Sequence, residues 1–473
     1  MGSMVSVVVD YLRHIESDCV VNNVGELADY IPELAAVDPD RFAVSVAVHD
    51  GHVYSIGDSS LEFTIQSISK ALTYALALSL RGVETVDAHI GVEPSGEAFN
   101  EISVDARTRN PKNPMINAGA ITAAALLLAP GDEDGTTDVG DVDEAFRTIL
   151  DFYSGCAGRR LSLDDAVYRS ETASGSRNRA IAYMLESYGV MPADPEDAVD
   201  LYFRQCSVRV TTDDLAVIGS TLANGGINPR TGRRMLDQVV VRRVLSVMTT
   251  CGMYDGAGDW VTSVGLPAKS GVGGGILAVL PGQLGIGVYS PRLDEHGNSV
   301  RGVRACRHLS ADLGLHMFNV ARESRVTIRS TYDGHELEVG TDRSTVEQVY
   351  LRAHRDRIRV LELQGDLTFS GTESVVRRVE SIRADSEVII VELRRVGIID
   401  EVSRRMLIGL RRSLREDGKE WVIVDPDGIL VGMDRRSRER LPANPSEAAI
   451  TSTMAEAVEV AEDVLLKQAA NRG

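Results

Sequence analysis

Cysteine, lysine and long apolar runs are all scarce in this chain of 473 residues. The five cysteines, Cys19, Cys156, Cys206, Cys251 and Cys306, are odd in number and widely spaced, with no Cys-x-x-Cys pair. That excludes a disulfide framework and predicts reduced thiols in a cytoplasmic protein. The apolar stretch 121–129 is about half of what a bilayer crossing needs, and the first residues lack the basic, apolar and small-residue segments of an export signal. Neither a membrane span nor secretion is expected. Excess positive charge is also missing: a net charge of −19 repels nucleic acid and anionic membrane alike, so neither is an expected partner. The nine histidines form no His-x-His or His-Glu-x-x-His group, which predicts no metal site. Gly271-Val272-Gly273-Gly274-Gly275-Ile276 has isoleucine where a dinucleotide fingerprint needs its last glycine, and a Walker lysine pattern is absent. No cofactor is expected.

What is present is enough for two or three globular domains, with 43% hydrophobic and 25% charged residues. The lysine deficit is informative. Of 50 Lys+Arg only Lys70, Lys112, Lys269, Lys419 and Lys467 are lysines, leaving 45 arginines by subtraction. Such a chain keeps lysine where arginine fails, as in proton transfer, because a guanidinium does not give up its proton. Lys70 completes the only Ser-x-x-Lys, in Thr64-Ile65-Gln66-Ser67-Ile68-Ser69-Lys70. A spacing of three on a helix puts Ser67 and Lys70 on one face, a nucleophile beside a base. Lys269 opens Lys269-Ser270-Gly271. Taken alone, Ser-x-x-Lys reads more simply as a capped helix with a solvated lysine; the second motif and the lysine scarcity reverse that preference.

Along the chain, residues 5–15 and 24–34 read as helices around Asp29-Tyr30-Ile31-Pro32, and 42–56 as a hairpin turning at Asp50-Gly51. The helix bearing Ser67 and Lys70 should run to Leu80 and close at Arg81-Gly82. A loop at 110–116 feeds a small-residue helix to Leu128; 130–142 reads as an acidic surface loop. Helices are expected at 171–188, 195–208, 211–223, 238–251 and 303–318, with strands at 276–280 and 285–290. Strands at both ends enclosing helices predict an α/β unit around a helical one. Beyond Arg357, strands at 359–363, 388–393 and 421–424 alternate with helices at 372–382, 401–415 and 453–466, predicting a small parallel or mixed sheet.

Ser-x-x-Lys with Lys-Ser-Gly, and Ser176-x-Asn178 as a weaker third element, is similar to the motif set of β-lactamases and penicillin-binding proteins. More specifically, residues from about 5 to 320 resemble the serine-dependent glutaminases, which share that fold. The resemblance rests on Asp29-Tyr30-Ile31-Pro32-Glu33-Leu34, Gln66-Ser67-Ile68-Ser69-Lys70, Asn113-Pro114-Met115-Ile116-Asn117-Ala118-Gly119-Ala120-Ile121, Gly252-Met253-Tyr254-Asp255 and Lys269-Ser270-Gly271-Val272-Gly273-Gly274-Gly275. It implies Ser67 as nucleophile and Lys70 as its activator, with Tyr254 sharing proton transfer and Tyr30 lining the pocket. Ser67, Asn117, Glu171, Asn178, Tyr202, Tyr254 and the backbone at Val272 fall on the family's glutamine-contact positions. It further implies hydrolysis of L-glutamine to glutamate and ammonia through an acyl-serine, and a dimer or tetramer. How the proton work divides between Lys70 and Tyr254 stays open.

Residues 357–466 resemble the STAS domain of anti-sigma-factor antagonists, through Gly365-Asp366-Leu367 and Ile398-Ile399-Asp400. That implies a protein partner. The residue after Asp400 is Glu401, where the phosphorylated antagonists have serine or threonine, and Ser403 is the nearby hydroxyl. The expected architecture is thus α/β (α+β): a β-lactamase-like glutaminase domain at 1–322, a linker at 323–356 and a small α/β STAS-like domain at 357–473. Two other functions fit the motifs: a β-lactamase or transpeptidase, which the missing export signal disfavours, and a non-catalytic STAS-type regulator, which the complete Ser67, Lys70 and Glu171 set disfavours.

Overall fold

A computed structural model describes residues 7–95, 103–129, 141–318, 327–337, 343–430 and 449–472. The expected acidic loop at 130–142 lies outside them except for its last two residues. The chain divides into two compact units, Val9–Asn319 and Val320–Gly473, the latter grouped with Met1–Val8.

The strands of the first unit are β1 (Ala43–Val48), β2 (Val53–Gly57), β3 (Phe63–Thr64), β4 (Ser162–Leu163), β5 (Val208–Val210), β6 (Ala268–Ser270), β7 (Gly275–Leu280) and β8 (Leu284–Tyr289). Its main sheet has the order β2-β1-β8-β7-β6, antiparallel throughout. Chain from the two ends of the unit therefore pairs at the centre, and the described residues between are mostly helical. Helix Thr212–Ala223 covers one face, packing on β1, β7 and β8. The approach is close enough that a Cβ on Gly285 would meet Ser220 N at 2.2 Å, which is why glycine interrupts an otherwise branched strand.

Helix Asn117–Leu128 is buried from Asn117 to Leu127. A helix apolar on every side belongs inside a helical layer, and its alanines let helices Ser69–Arg81 and Pro195–Cys206 pack on it. The three form the scaffold of the site. A short sheet, β3-β5-β4, joins the segment before Ser67 to the end of helix Pro195–Cys206.

Two expected helices differ. Residues 24–34 yield only Pro32–Ala35, because Gly25 sits at φ +99° and Glu26 bridges Leu293 in extended backbone. The expected helix 171–188 is two helices, Asp165–Ser174 and Ser176–Ser187, broken at Gly175. The Phe203 ring stands where a Gly175 Cβ would lie, 2.1 Å away, so a tertiary contact sets the break.

The second unit has β9 (Ile328–Asp333), β10 (Ile358–Leu367), β11 (Val388–Ile399), β12 (Glu420–Val424) and β13 (Ala449–Thr451) in the order β13-β12-β11-β10-β9. It is parallel from β13 to β10, and β9 is antiparallel. The mixed sheet matches expectation; the linker does not. Within 323–356 the described residues form β9, laddered on β10, and helix Thr345–His354, whose Leu351 is in the core of this unit. A capping box between Ser344 and Glu347 starts that helix. Asp400 caps helix Glu401–Glu416, accepting from Ser403 N at 2.7 Å. Met406, Leu410 and Leu414 form a buried stripe on this helix, with Val402 on the same stripe partly buried. Ser403 itself has no exposure, so it is not an accessible phosphate acceptor. No helix among the described residues is long and apolar enough to cross a membrane.

Candidate active site

The short strand β3 ends at Thr64, and Gln66 then takes φ +48°, a left-handed conformation rare for a side chain of this size. It delivers the 3₁₀ turn Gln66–Ile68, which runs directly into helix Ser69–Arg81. Ser67 thus rides on a sharp strand-to-helix turn and Lys70 on the first helical turn. Both are buried, Lys70 completely.

Lys70 Nζ donates to Asn117 Oδ1 at 2.6 Å and to Met115 O at 3.3 Å. A neutral amine has two hydrogens and one lone pair; those two oxygens take both hydrogens, leaving the lone pair to receive a proton. Burial lowers the pKa of Lys70 to about 8, with Cys206 opposing the fall, because desolvation disfavours the ammonium. Asn117 passes the chain on: its Nδ2 donates to Asn178 Oδ1 at 2.9 Å, and the Tyr202 hydroxyl donates to its Oδ1 at 3.4 Å.

On the other side of Ser67 lies Tyr254, also at positive φ, +52°, and opening the 3₁₀ turn Tyr254–Gly256. Its hydroxyl hydrogen-bonds Ser67 and donates to Ser270 O at 3.1 Å. With its single proton committed to that carbonyl, the phenol oxygen accepts from Ser67. Burial pushes the Tyr254 phenol well up, so it stays protonated at neutral pH.

Glu171, 6% exposed, receives the Tyr30 hydroxyl at 2.8 Å, and Tyr30 also reaches Gln66 Oε1 at 3.3 Å. The ring of Tyr30 is half-exposed at 46% while its hydroxyl is engaged inside, so it forms part of the rim. Burial raises the Glu171 pKa; hydrogen bonds from Tyr30 and Gln66 oppose the rise, and the Glu33 carboxylate adds to it. Val272 enters through its turn: Cβ atoms on Gly271 and Gly273 would lie 3.1–3.4 Å from the carbonyls of Ile65 and Thr64, so the turn packs directly on the backbone before Ser67.

The predicted residues therefore converge as two linked groups. Ser67, Lys70, Tyr254, Asn117, Asn178 and Tyr202 form one, and Tyr30 with Glu171 the other, joined through Gln66 beside Ser67. Sequence reasoning missed Gln66 as a partner of Glu171. It also missed the layer behind the site, where Gln205 Nε2 donates to Ser69 Oγ at 3.4 Å, Thr73 Oγ1 to Gln205 Oε1 at 2.7 Å, and the Tyr153 hydroxyl to Ser69 O at 2.9 Å. Gln66 lay inside the recognised motif and was findable. The backing layer comes from helices far apart in sequence and had no local signal.

A family model described as Glutaminase matches residues 25–318, and one described as STAS domain matches residues 351–433. Among curated relatives, a Bradyrhizobium diazoefficiens protein named Glutaminase 2 is 47% identical over 400 residues, which is 84% of this chain and 62% of that protein. The chain likewise spans 65% of Glutaminase 1 from the same organism. A Corynebacterium glutamicum protein named Glutaminase is 43% identical over 422 residues, 89% of this chain and 95% of that one. Among solved structures, Mglu in its glutamate form is 40% identical, with a TM-score of 0.64 over 90% of this chain and all of that one.

Proposed function

The chain belongs to the glutaminase family and carries a C-terminal STAS domain, and from that premise we propose that it hydrolyses L-glutamine to L-glutamate and ammonia through an acyl-serine intermediate. The observation that carries this reading is the buried Ser67 bonded to Tyr254, with the lowered Lys70 amine one helical turn away.

Ser67 Oγ attacks the side-chain carbonyl carbon of glutamine. Its proton leaves along the bond to Tyr254. As the Tyr254 oxygen takes that proton, the phenol swings its own proton from Ser270 O to the neutral Lys70 amine, the base that a phenol of raised pKa is not, and Lys70 becomes the ammonium that later protonates the leaving nitrogen. Backbone N–H groups at Ser67 and Val272 hold the oxyanion. The carboxamide nitrogen leaves as ammonia once protonated, giving the acyl-serine. Water, deprotonated by the same groups, then attacks the ester carbonyl and releases glutamate. Glu171 pairs with the substrate α-ammonium, while Asn117, Asn178 and Tyr202 offer amide and hydroxyl donors to its α-carboxylate. Tyr30 closes the rim over Glu171. The protein that crystallised in a glutamate form as Mglu supports this choice of substrate by similarity.

Ammonia release from glutamine, asparagine and γ-glutamyl amides, run beside hydrolysis of a chromogenic β-lactam, tests the assignment. Glutamine should be turned over and the β-lactam should not, and Ser67→Ala should abolish release while glutamine still binds. Turnover of the β-lactam alone would favour the penicillin-binding type of chemistry, and no turnover of either would favour a STAS-type regulator.

The five free thiols support a reducing, cytoplasmic setting, and the family resemblance supports a dimer or tetramer. The STAS domain serves as a docking module for a protein partner and modulates assembly or activity. Ending the chain after Phe318, where the glutaminase match stops, removes β9 and every described element after it; a cut before Arg357 would strand β9 and helix Thr345–His354. The shortened protein should keep its ammonia-release rate and change only in assembly. Loss of that rate in a protein folded by circular dichroism and size-exclusion chromatography would overturn this.

A further inference from the structure

Lys269 is a buried group that the mechanism above does not use. It has no exposure, in a chain that otherwise supplies its positive charge almost entirely as arginine. Its strand β6 is laddered to β7, with Lys269 opposite Leu277 and Ser270 opposite Ile276, so its backbone is rigid. From there Nζ lies 4.2 Å from the centroid of the Tyr254 ring and donates to Ser270 O at 2.6 Å. That same carbonyl receives the Tyr254 hydroxyl at 3.1 Å. Ser270 N in turn donates to Gly252 O at 3.2 Å, two residues before Tyr254. One strand thus grips the tyrosine at three places: its approach, its ring face and its hydroxyl.

Tyr254 needs such a grip. Its positive φ is a strained conformation that persists only where the surroundings over-determine it, and its phenol must stay within hydrogen-bonding distance of Ser67. The carbonyl at Ser270 does two jobs, since it occupies the phenol hydrogen and so leaves the phenol oxygen to accept from Ser67. The amine at Lys269 fills the ring face and orients that carbonyl.

We propose that Lys269 is a positioning residue, holding the Tyr254 phenol in register with Ser67 through the ring face and the shared Ser270 carbonyl. This rests on the proton-transfer role proposed above for Tyr254. Burial lowers the Lys269 amine well below its ordinary range, and the charge of nearby Lys70 lowers it further. A direct effect on Lys70 is therefore the competing account.

A double-mutant cycle in the full chain separates the two. Lys269→Met, similar in length and without hydrogen-bond donors, should lower kcat by about 10²-fold, as a misplaced reacting group does, with KM for glutamine little changed. Introduced into Tyr254→Phe, the same substitution should lower kcat little further, because the phenol it positions is gone. Lys269→Gln, which keeps an N–H for the carbonyl, should retain more rate than Lys269→Met and runs the same cycle if the methionine variant does not fold. Additive losses, or a displaced low-pH limb of kcat/KM with Tyr254 intact, would overturn the coupling to Tyr254. A wild-type rate in Tyr254→Phe alone would instead overturn the role of Tyr254, a result distinct from either.

Discussion

Lys70→Arg should lose turnover almost as completely as Ser67→Ala, although it keeps the positive charge. The guanidinium stays protonated at every working pH, so it has no lone pair with which to receive the serine proton. General-base catalysis contributes about 10²–10⁴-fold, and losing it together with the geometry of the Asn117 and Met115 contacts puts the effect at the upper end of that range. The pH dependence carries the same information. Burial lowers the amine to about 8, so Lys70 is protonated below that value and neutral above it. The wild-type kcat/KM should rise with pH through about 8, and that limb should be missing from whatever activity Lys70→Arg retains. Steady-state ammonia release between pH 6 and 9.5 measures both. A Lys70→Arg enzyme of near-normal rate would remove Lys70 as the base.

The Ser67 and Lys70 pair was legible because it is local: three residues apart on one helical turn, in a chain nearly devoid of lysine. The same holds for four strands of the first unit's main sheet, β1, β2, β7 and β8, while β6 was not foreseen. Those four strands are runs of branched residues bounded by turns such as Asp50-Gly51, where Gly51 sits at φ +88°. What escaped notice depends on residues distant in sequence. The break at Gly175 exists because of Phe203, and residues 24–31 stay extended because Leu293 pairs with Glu26. Lys269 was visible as a motif letter, but its place over Tyr254 follows from the register of β6 on β7. Positive φ at Gln66 and Tyr254 has no sequence signature, since neither residue type favours it. These two backbone positions flank the nucleophile on either side, as expected where local preference is overridden to present reacting groups.

In the second unit the structure divides the arginines of helix Glu401–Glu416 between different roles. Arg404 turns inward to hold the carbonyls of Ile429 and Leu430, while Arg405 pairs with Glu401 one turn back. Asp425 receives Ile429 N and Leu430 N, each at 2.9 Å, at the same turn. Arg404 and Asp425 therefore secure the loop after β12 from both sides, and composition alone could not separate this structural arginine from its neighbours.

Glu171→Gln should raise KM for glutamine steeply. The carboxylate is 6% exposed, and among the described residues its hydrogen-bond partners are the neutral Tyr30 and Gln66; in the proposed complex the substrate ammonium is its opposite charge. Removing one side of a desolvated charge pair strands the other, at a cost on the order of 2–5 kcal/mol, or roughly 30- to 4,000-fold in kcat/KM. The pair is the same in the ground and transition states, so the loss should fall mainly on KM with kcat reduced far less. Sign and pH follow from the same burial. Desolvation raises the Glu171 pKa above the ordinary carboxylate range, with Glu33 adding to the rise, so the charge is present above that raised value and is lost as pH falls through it. Wild-type KM should therefore climb on the acid side earlier than for an exposed glutamate, and Glu171→Gln should flatten that climb. Tyr30→Phe should shift it further toward neutral pH, because the phenol hydroxyl is the hydrogen-bond donor that stabilises the ionised form. Steady-state kinetics on the three enzymes from pH 5 to 8 distinguishes these outcomes, and an unchanged KM in Glu171→Gln would place the ammonium elsewhere in the pocket.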